Sequence, residues 1–307
     1  MAEPGKQADE ARKCGFVALI GAPNSGKSTL TNALVGTKVA IVTHKAQTTR
    51  GPVRGIALVG NSQILLVDTP GIFQPKRRLD RAMFGAAWDR AGDADLVALV
   101  IDAQRGLDSS LDPLLKHLPE VRRPIIAILN KIDQVAKPEL LRLAANVSAI
   151  RPFDRTFMLS ALTGDGVADL KSYLANAVPP GPWLFPEDQL TDLSLRQAAA
   201  EITREKLFLR LHDELPYSLT VETADWKELN DGSVRIEQTI YVMRESQRKI
   251  LLGAKGATIK EISMAARAEI GEMVQAPVHL FLFVKVRERW GEDPERYREM
   301  GLDYPKE

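Results

Sequence analysis

An apolar run, FVALI, ends directly on GAPNSGKST, where Gly21 and Gly26 bracket four residues and Lys27 and Ser28 follow. The run reads as a buried strand and the residues after the loop as a helix, so the chain must build a strand–loop–helix unit here. Such a turn aims several backbone N–H groups and the positive end of the helix dipole at one point, which suits phosphate. Gly21 and Gly26 permit turns that a Cβ would obstruct. Lys27 can reach β and γ phosphates and the Ser28 hydroxyl can ligate Mg²⁺, while Asn24, Ser25 and Thr29 belong to the same loop.

From about Gly15 to Ala177, short aliphatic runs alternate with helix-like segments: FVALIG, IALVG, QILLVDTPG, DLVALVIDA, PIIAILNKID and TFMLSAL. Strands apolar on both faces suit a mostly parallel sheet with helices on both sides, an α/β doubly wound domain. At 307 residues the chain is long for one core, and two domains are expected. The texture changes in NAVPPGPWLFPEDQLTD, whose four prolines interrupt helix and strand alike. The expected division is a loose tail over 1–13, the α/β P-loop domain over 14–178, a proline-rich linker over 179–193 and a smaller α+β domain over 194–307. In the last of these, a helix is followed by LPYSLTVET and SVRIEQTIYVM, two strands joined through Asn230-Asp231-Gly232, then two helices and the apolar strand HLFLFVKV.

Composition narrows the setting. Cys14 is the only cysteine, so no intramolecular disulfide forms and a reducing, cytoplasmic location is expected. The polar N-terminus lacks the apolar stretch of a signal peptide, and no apolar run has the length to cross a bilayer. A net charge of +1 neither predicts nor excludes a nucleic-acid partner, because a local basic patch suffices.

Four further segments narrow the ligand. In QILLVDTPG, Asp68 can bind Mg²⁺ and the Gly71 N–H can meet the γ-phosphate. In ILNKID, the Asp133 carboxylate can accept from N1–H and the N2 amine of guanine, a pattern adenine lacks; Asn130 can bond the base or tie loops together, and Lys131 can lay its stem over the purine. In SALTG, Ser160 fixes a loop whose Ala161 N–H would contact guanine O6, with Leu162 beside it. In KAQTTR, Thr49, preferred to Thr48, would complete the Mg²⁺ shell. In this order the segments resemble the Ras-like translation-factor class of GTPases, implying GTP and GDP as ligands, with Lys27, Thr49, Gly71 and Asn24 at the reacting phosphate. Ile72 stands where many GTPases place a water-orienting glutamine, so slow intrinsic hydrolysis is expected. Asn24 has two readings, a cap of its loop or a ligand to K⁺ as in potassium-stimulated GTPases.

In the second domain, LLGAKGATIKEIS carries Gly253, Ala254, Lys255 and Gly256, a GxxG loop turning into a helix. With its flanking hairpin, helices and strand it resembles a type II KH domain, whose loop holds the backbone of single-stranded nucleic acid while a groove receives about four bases. Arg248, Lys249, Lys260 and Arg267 add positive charge around Lys255. The apolar residues Ile250, Leu251, Leu252, Ile259 and Ile262 read mostly as core, with one or two open to line the groove.

GAPNSGKSTL, KAQTTR, DTPGI, NKID, SALTG, REKLFLRLHDELPYSLTVE, LGAKGATIKEI and FVKVRERW with GLDY together resemble the Era family. That resemblance implies a GTPase that binds the 3′ end of 16S ribosomal RNA and acts in 30S ribosomal subunit assembly, with nucleotide state controlling RNA binding; a monomer is expected, since no heptad repeat argues against one. It also implies peripheral contact with the cytoplasmic face of the inner membrane. The alternative is a GTP-controlled membrane or protein-interaction switch whose second domain is a scaffold.

Overall fold

Strands buried along their whole length dictate the first layer. In a computed structural model describing residues 12–43, 45, 53–71, 78–213, 215–288, 290–299 and 302–304, β3 (Ser62–Asp68), β4 (Leu96–Asp102) and β5 (Ile125–Asn130) are buried at every position. They join β1 (Lys13–Gly21), β2 (Val53–Val59) and β6 (Arg155–Met158) in a six-stranded sheet ordered β2-β3-β1-β4-β5-β6. All neighbours run parallel except β2, which is antiparallel to β3. Because side chains alternate across a strand, each strand feeds two cores. Val17, Leu19 and Val100 pack with Leu30 and Leu34 of α1 (Lys27–Val35) and with Leu170 and Leu174 of α5 (Val167–Ala177). Ala18, Ile20 and Leu99 pack on the other side with α2 (Arg78–Asp93), α3 (Asp112–His117) and α4 (Lys137–Ile150). The parallel strands therefore deliver the loops after β1, β3, β4, β5 and β6 to one edge of the sheet, where α/β folds place their ligands.

Residues 179–192, expected as part of a linker, are strapped to this unit. The buried Gln63 side chain accepts from Leu184 N (2.9 Å) and Phe185 N (3.1 Å) and donates to Phe185 O (2.9 Å), while Ile56 N donates to Leu190 O (2.9 Å). Proline-rich backbone has few donors, and one side-chain amide takes up two of those that remain. The boundary between the two compact units falls between Asp192 and Leu193.

The second unit opens with α6 (Leu195–Arg210), started by a capping box in which Ser194 and Gln197 satisfy each other's backbone N–H. A sheet ordered β7-β8-β9 follows: β7 (Leu219–Glu228) is antiparallel to β8 (Val234–Val242), and β9 (Val278–Val286) is parallel to β8. Gly232, at φ 80°, makes the turn between the first two. Two helices, α7 (Glu245–Leu252) and α8 (Ala257–Val274), stand between β8 and β9. Ala199, Ile236, Ala266, Ile270 and Leu280 form one core cluster, and Leu207, Ile240, Leu251 and Ile262 the next. A short α9 (Pro294–Glu299) closes the unit, and the buried Trp290 donates Nε1–H to Ser218 O (3.0 Å).

The stretch leading into KAQTTR, through its Lys45, groups with this second unit, although sequence reading assigns it to 14–178. There, Val42 N donates to Glu205 Oε1 (2.9 Å) and Lys45 Nζ donates to Leu211 O (2.6 Å) and Phe208 O, at the carboxyl end of α6. A lysine at the last carbonyls of a helix complements its dipole. Among the described residues, no helix is long and apolar enough to cross a membrane.

Candidate nucleotide site and candidate nucleic-acid loop

The phosphate loop fills the gap between β1 and α1, and its two glycines act for different reasons. A Cβ on Gly21 would stand 2.5 Å from Val100 O and 2.7 Å from Ser25 Oγ, so Gly21 answers to close packing. Gly26 caps α1 at φ 94°, in the left-handed region, and a Cβ there would lie 2.1 Å from Asn130 Nδ2. Ser25 Oγ is buried and has no hydrogen-bond partner, an unsatisfied group that a phosphate oxygen would satisfy. Asn24 is also left-handed, at φ 64°.

Lys27 is 6% exposed, and its Nζ donates to Gly21 O and Ala22 O, both at 3.0 Å. Burial pushes its pKa down to about 8, with the Asp68 carboxylate opposing the shift. Nucleotide phosphates favour the ammonium form. GDP affinity is therefore expected to stay level below about pH 8 and to weaken above it, by up to about tenfold per pH unit, as free protein sheds this proton. For folding the sign is opposite: a lysine with a lowered folded pKa costs stability below pH 8, and that cost is relieved as pH rises toward 10.5. Titrating a fluorescent GDP at pH 7, 8 and 9 checks the first claim; an affinity unchanged at pH 9 defeats it.

Ser28 Oγ donates to Asp68 Oδ2 (2.7 Å), bringing together two hard oxygen donors of the kind Mg²⁺ takes. Thr69, next in DTPG, donates Oγ1–H to Leu19 O (2.7 Å) and ties the end of β3 to β1. A Cβ on Gly71 would come within 2.8 Å of Pro23 Cα, so this glycine lies against the phosphate loop. Thr49, with Thr48, His44 and Ile72, falls outside the described residues.

Asn130, at the end of β5, donates Nδ2–H to Ser25 O (2.8 Å) and accepts from Ala161 N (2.9 Å). It thus ties the phosphate loop to SALTG. The Ala161 N–H expected at guanine O6 is committed to this bond, and a base would have to share it. Ser160 is buried and its Oγ accepts from Thr163 N (3.2 Å). Lys131 is held at φ 67°, and Asp133 is exposed in the turn that follows. Thr29 lies in the first turn of α1, and Leu162 is exposed in the loop after β6.

Sequence reasoning missed Asp102. At the end of β4, in register with Asn130, its Oδ2 sits 2.5 Å from Lys131 Nζ and its Oδ1 accepts from Gln104 N (3.0 Å). An aspartate ending the buried strand that precedes the NKID strand was the available signal, but only the parallel register brings the two together.

In the second unit, Gly253 and Gly256 also differ. A Cβ on Gly253 would lie 2.2 Å from Thr258 Oγ1, whereas one on Gly256, at φ 79°, would meet nothing within 4 Å. Lys255 stands between them at φ 50°, exposed, as are Ala254, Lys249, Lys260 and Arg267. Arg248 is paired with Glu245 (2.9 Å). Leu251 and Ile262 are core, but Ile250 is 60% exposed beside the loop and fits the lining of a base groove.

A phosphate loop bound to an Asn–Lys–x–Asp segment at the carboxyl edge of a parallel sheet, followed by a GxxG unit, defines a P-loop GTPase with an attached KH domain. Family models agree: one described as "50S ribosome-binding GTPase" matches residues 16–131 and one described as "KH domain" matches residues 214–291. The chain is 64% identical over 293 residues to the GTPase Era of Brucella suis biovar 1 (strain 1330), covering 95% of this chain and 94% of that protein. It belongs to the Era family of GTPases. Solved structures agree in fold. A tyrosine-to-alanine variant of Aquifex aeolicus Era bound to GDP and AlF₄⁻ superposes with a TM-score of 0.89, and an Era complex with MgGDPNP and nucleotides 1506–1542 of 16S ribosomal RNA with 0.90. Each is 37% identical, over 94% of this chain and 99% of the other.

Proposed function

We propose that this chain binds GTP with Mg²⁺, hydrolyses it slowly to GDP and phosphate, and through its nucleotide state controls its grip on single-stranded RNA at the 3′ end of 16S ribosomal RNA during 30S subunit assembly. The carrying observation is a GTP site and an open GxxG loop on one chain, in a family of which a 37% identical member holds both MgGDPNP and that RNA. A cytoplasmic location follows from this reading, with any membrane contact peripheral.

The chain's own groups supply the chemistry. Backbone N–H groups of the loop and the Lys27 ammonium would hold the phosphates, the Gly71 N–H would meet the γ-phosphate, and Asp133 would read guanine. Ser28, Asp68 and Thr49 would hold Mg²⁺, which when bound offsets the charge developing between β and γ phosphates. Asp102 would anchor Lys131 while its stem covers the base. Coupling to RNA has a material route in the second unit, where Val42 and Lys45, just before the switch threonines, are tied to α6; γ-phosphate drawing Thr49 inward would pull on that attachment.

Asn24 retains two readings. Its left-handed backbone is one asparagine adopts readily, which accounts for a loop former. As a K⁺ ligand it would bring the positive charge an arginine finger supplies elsewhere. Turnover in KCl against NaCl separates them: a stimulation of about tenfold or more that is lost in Asn24→Ala carries the K⁺ reading, and equal rates carry the other.

The test of the whole is RNA affinity with a non-hydrolysable GTP analogue against GDP, at fixed salt. Tighter binding in the GTP state is expected. Equal affinity in both states sinks the coupling, and tight binding to lipid or protein instead of RNA favours the scaffold alternative.

A further inference from the structure

The outer face of the second sheet carries an aromatic track that the GxxG loop does not explain. Leu280, Leu282 and Val284 of β9 turn toward the core, so His279, Phe281, Phe283 and Lys285 share the opposite face, and all four are exposed. Phe281 is 44% and Phe283 47% exposed, an unusual state for two adjacent rings on one strand. The Arg235 guanidinium of β8 lies 5.0 Å from the Phe281 ring centroid and is paired with Glu237. The face's carboxylates, Glu222, Asp225 and Glu237, stand on β7 and β8; the β9 row has none.

We infer that this face is a second RNA contact, on which Phe281 and Phe283 stack successive unpaired bases while Lys285, His279 and Arg235 face the backbone. Two rings at i and i+2 are about 6.7 Å apart along a strand. F-L-F-V repeats the aromatic–x–aromatic–Val spacing of the strand on which RNA-recognition sheets stack bases. Every base offers a ring face, so stacking asks little of sequence. One end of the track lies toward the loop, on the sheet face turned away from the helices. The 18-residue α8, about 27 Å long, leads away from Gly256, and β9 packs against it and returns, bringing Lys285 to the loop's end of the unit. The inference rests on the RNA reading above, and a KH groove, which takes about four nucleotides, leaves the rest of a longer strand to be held elsewhere.

The test compares full-length protein with Phe281→Ala/Phe283→Ala, using 16S 3′-end RNAs of about 6 and about 20 nucleotides, in GTP analogue at fixed salt. The rings are exposed, so folding should survive; Phe281→Tyr/Phe283→Tyr, which keeps both stacking faces, should restore binding. Loss of tenfold or more on the long RNA, with the short RNA unchanged, is expected. Wild-type affinity of the double alanine variant for the long RNA overturns the inference, as does an equal loss on both lengths. A variant that changes only the protein's own sedimentation overturns it too, making the face a contact between copies. If wild type binds neither RNA, the RNA reading itself falls.

Discussion

Asp133→Asn is expected to turn this chain from a guanine into a xanthine nucleotide binder, with GTP and GDP affinity falling roughly a thousandfold or more, because a site built to pair with a base edge rejects the unmatched edge strongly. In that reading the carboxylate would accept from guanine N1–H and its N2 amine; an asparagine amide would face that amine with a donor of its own, whereas xanthine presents a carbonyl there. Asp133 is exposed and ends no strand, so the change should leave the melting temperature unaltered. Asp102→Asn is the instructive companion. It removes the charge that holds Lys131 but leaves the base edge alone, so GTP and GDP should both weaken by about tenfold, with kcat held and no gain for xanthine nucleotides. Calorimetric titration of GDP and XDP into both variants decides. Asp133→Asn that still prefers GDP would remove the guanine assignment of NKID.

Gly256→Asp is expected to weaken RNA binding by roughly a hundredfold, since a carboxylate set against phosphate costs several kcal/mol, while GTP turnover stays unchanged. The choice of glycine matters. At Gly253 any side chain would strike Thr258 Oγ1 and the Thr258 N, so a loss of binding there could not be told from a distorted loop. At Gly256 a Cβ meets nothing, and the only cost is a left-handed backbone, which aspartate tolerates better than most residues. Gly256→Asn separates charge from shape: it should lose far less than Gly256→Asp. Equal RNA affinity in wild type and Gly256→Asp, measured by anisotropy at fixed salt, would move the second domain's output to protein or lipid.

The nucleotide motifs were legible because each is contiguous and its chemistry local. A glycine loop needs only the strand before it and the helix after it, and NKID carries the carboxylate proposed to read the base within four residues. Order along the chain then implied assembly, since parallel strands bring successive loops to the same edge. The second unit was readable for a similar reason: helix, hairpin, two helices and strand follow from period and from the Asn230-Asp231-Gly232 turn. HLFLFVKV was legible as a strand but not as a face, because a run apolar at both parities gives no alternation, and only packing against α7 and α8 leaves Phe281 and Phe283 outside.

What the chain by itself determined was therefore the ligand chemistry and the sequence of elements, both set by neighbours within a few residues. Tertiary structure alone decided the relations between distant segments: Asp102 beside Lys131 across a parallel register, Gln63 strapping the proline-rich stretch, Val42 and Lys45 tied to α6, and one glycine of the GxxG loop closed while the other stays open. The physical reason is that hydrogen bonds and steric contacts depend on distance in space, and where 29 or 121 residues separate the partners, nothing in local periodicity encodes that distance.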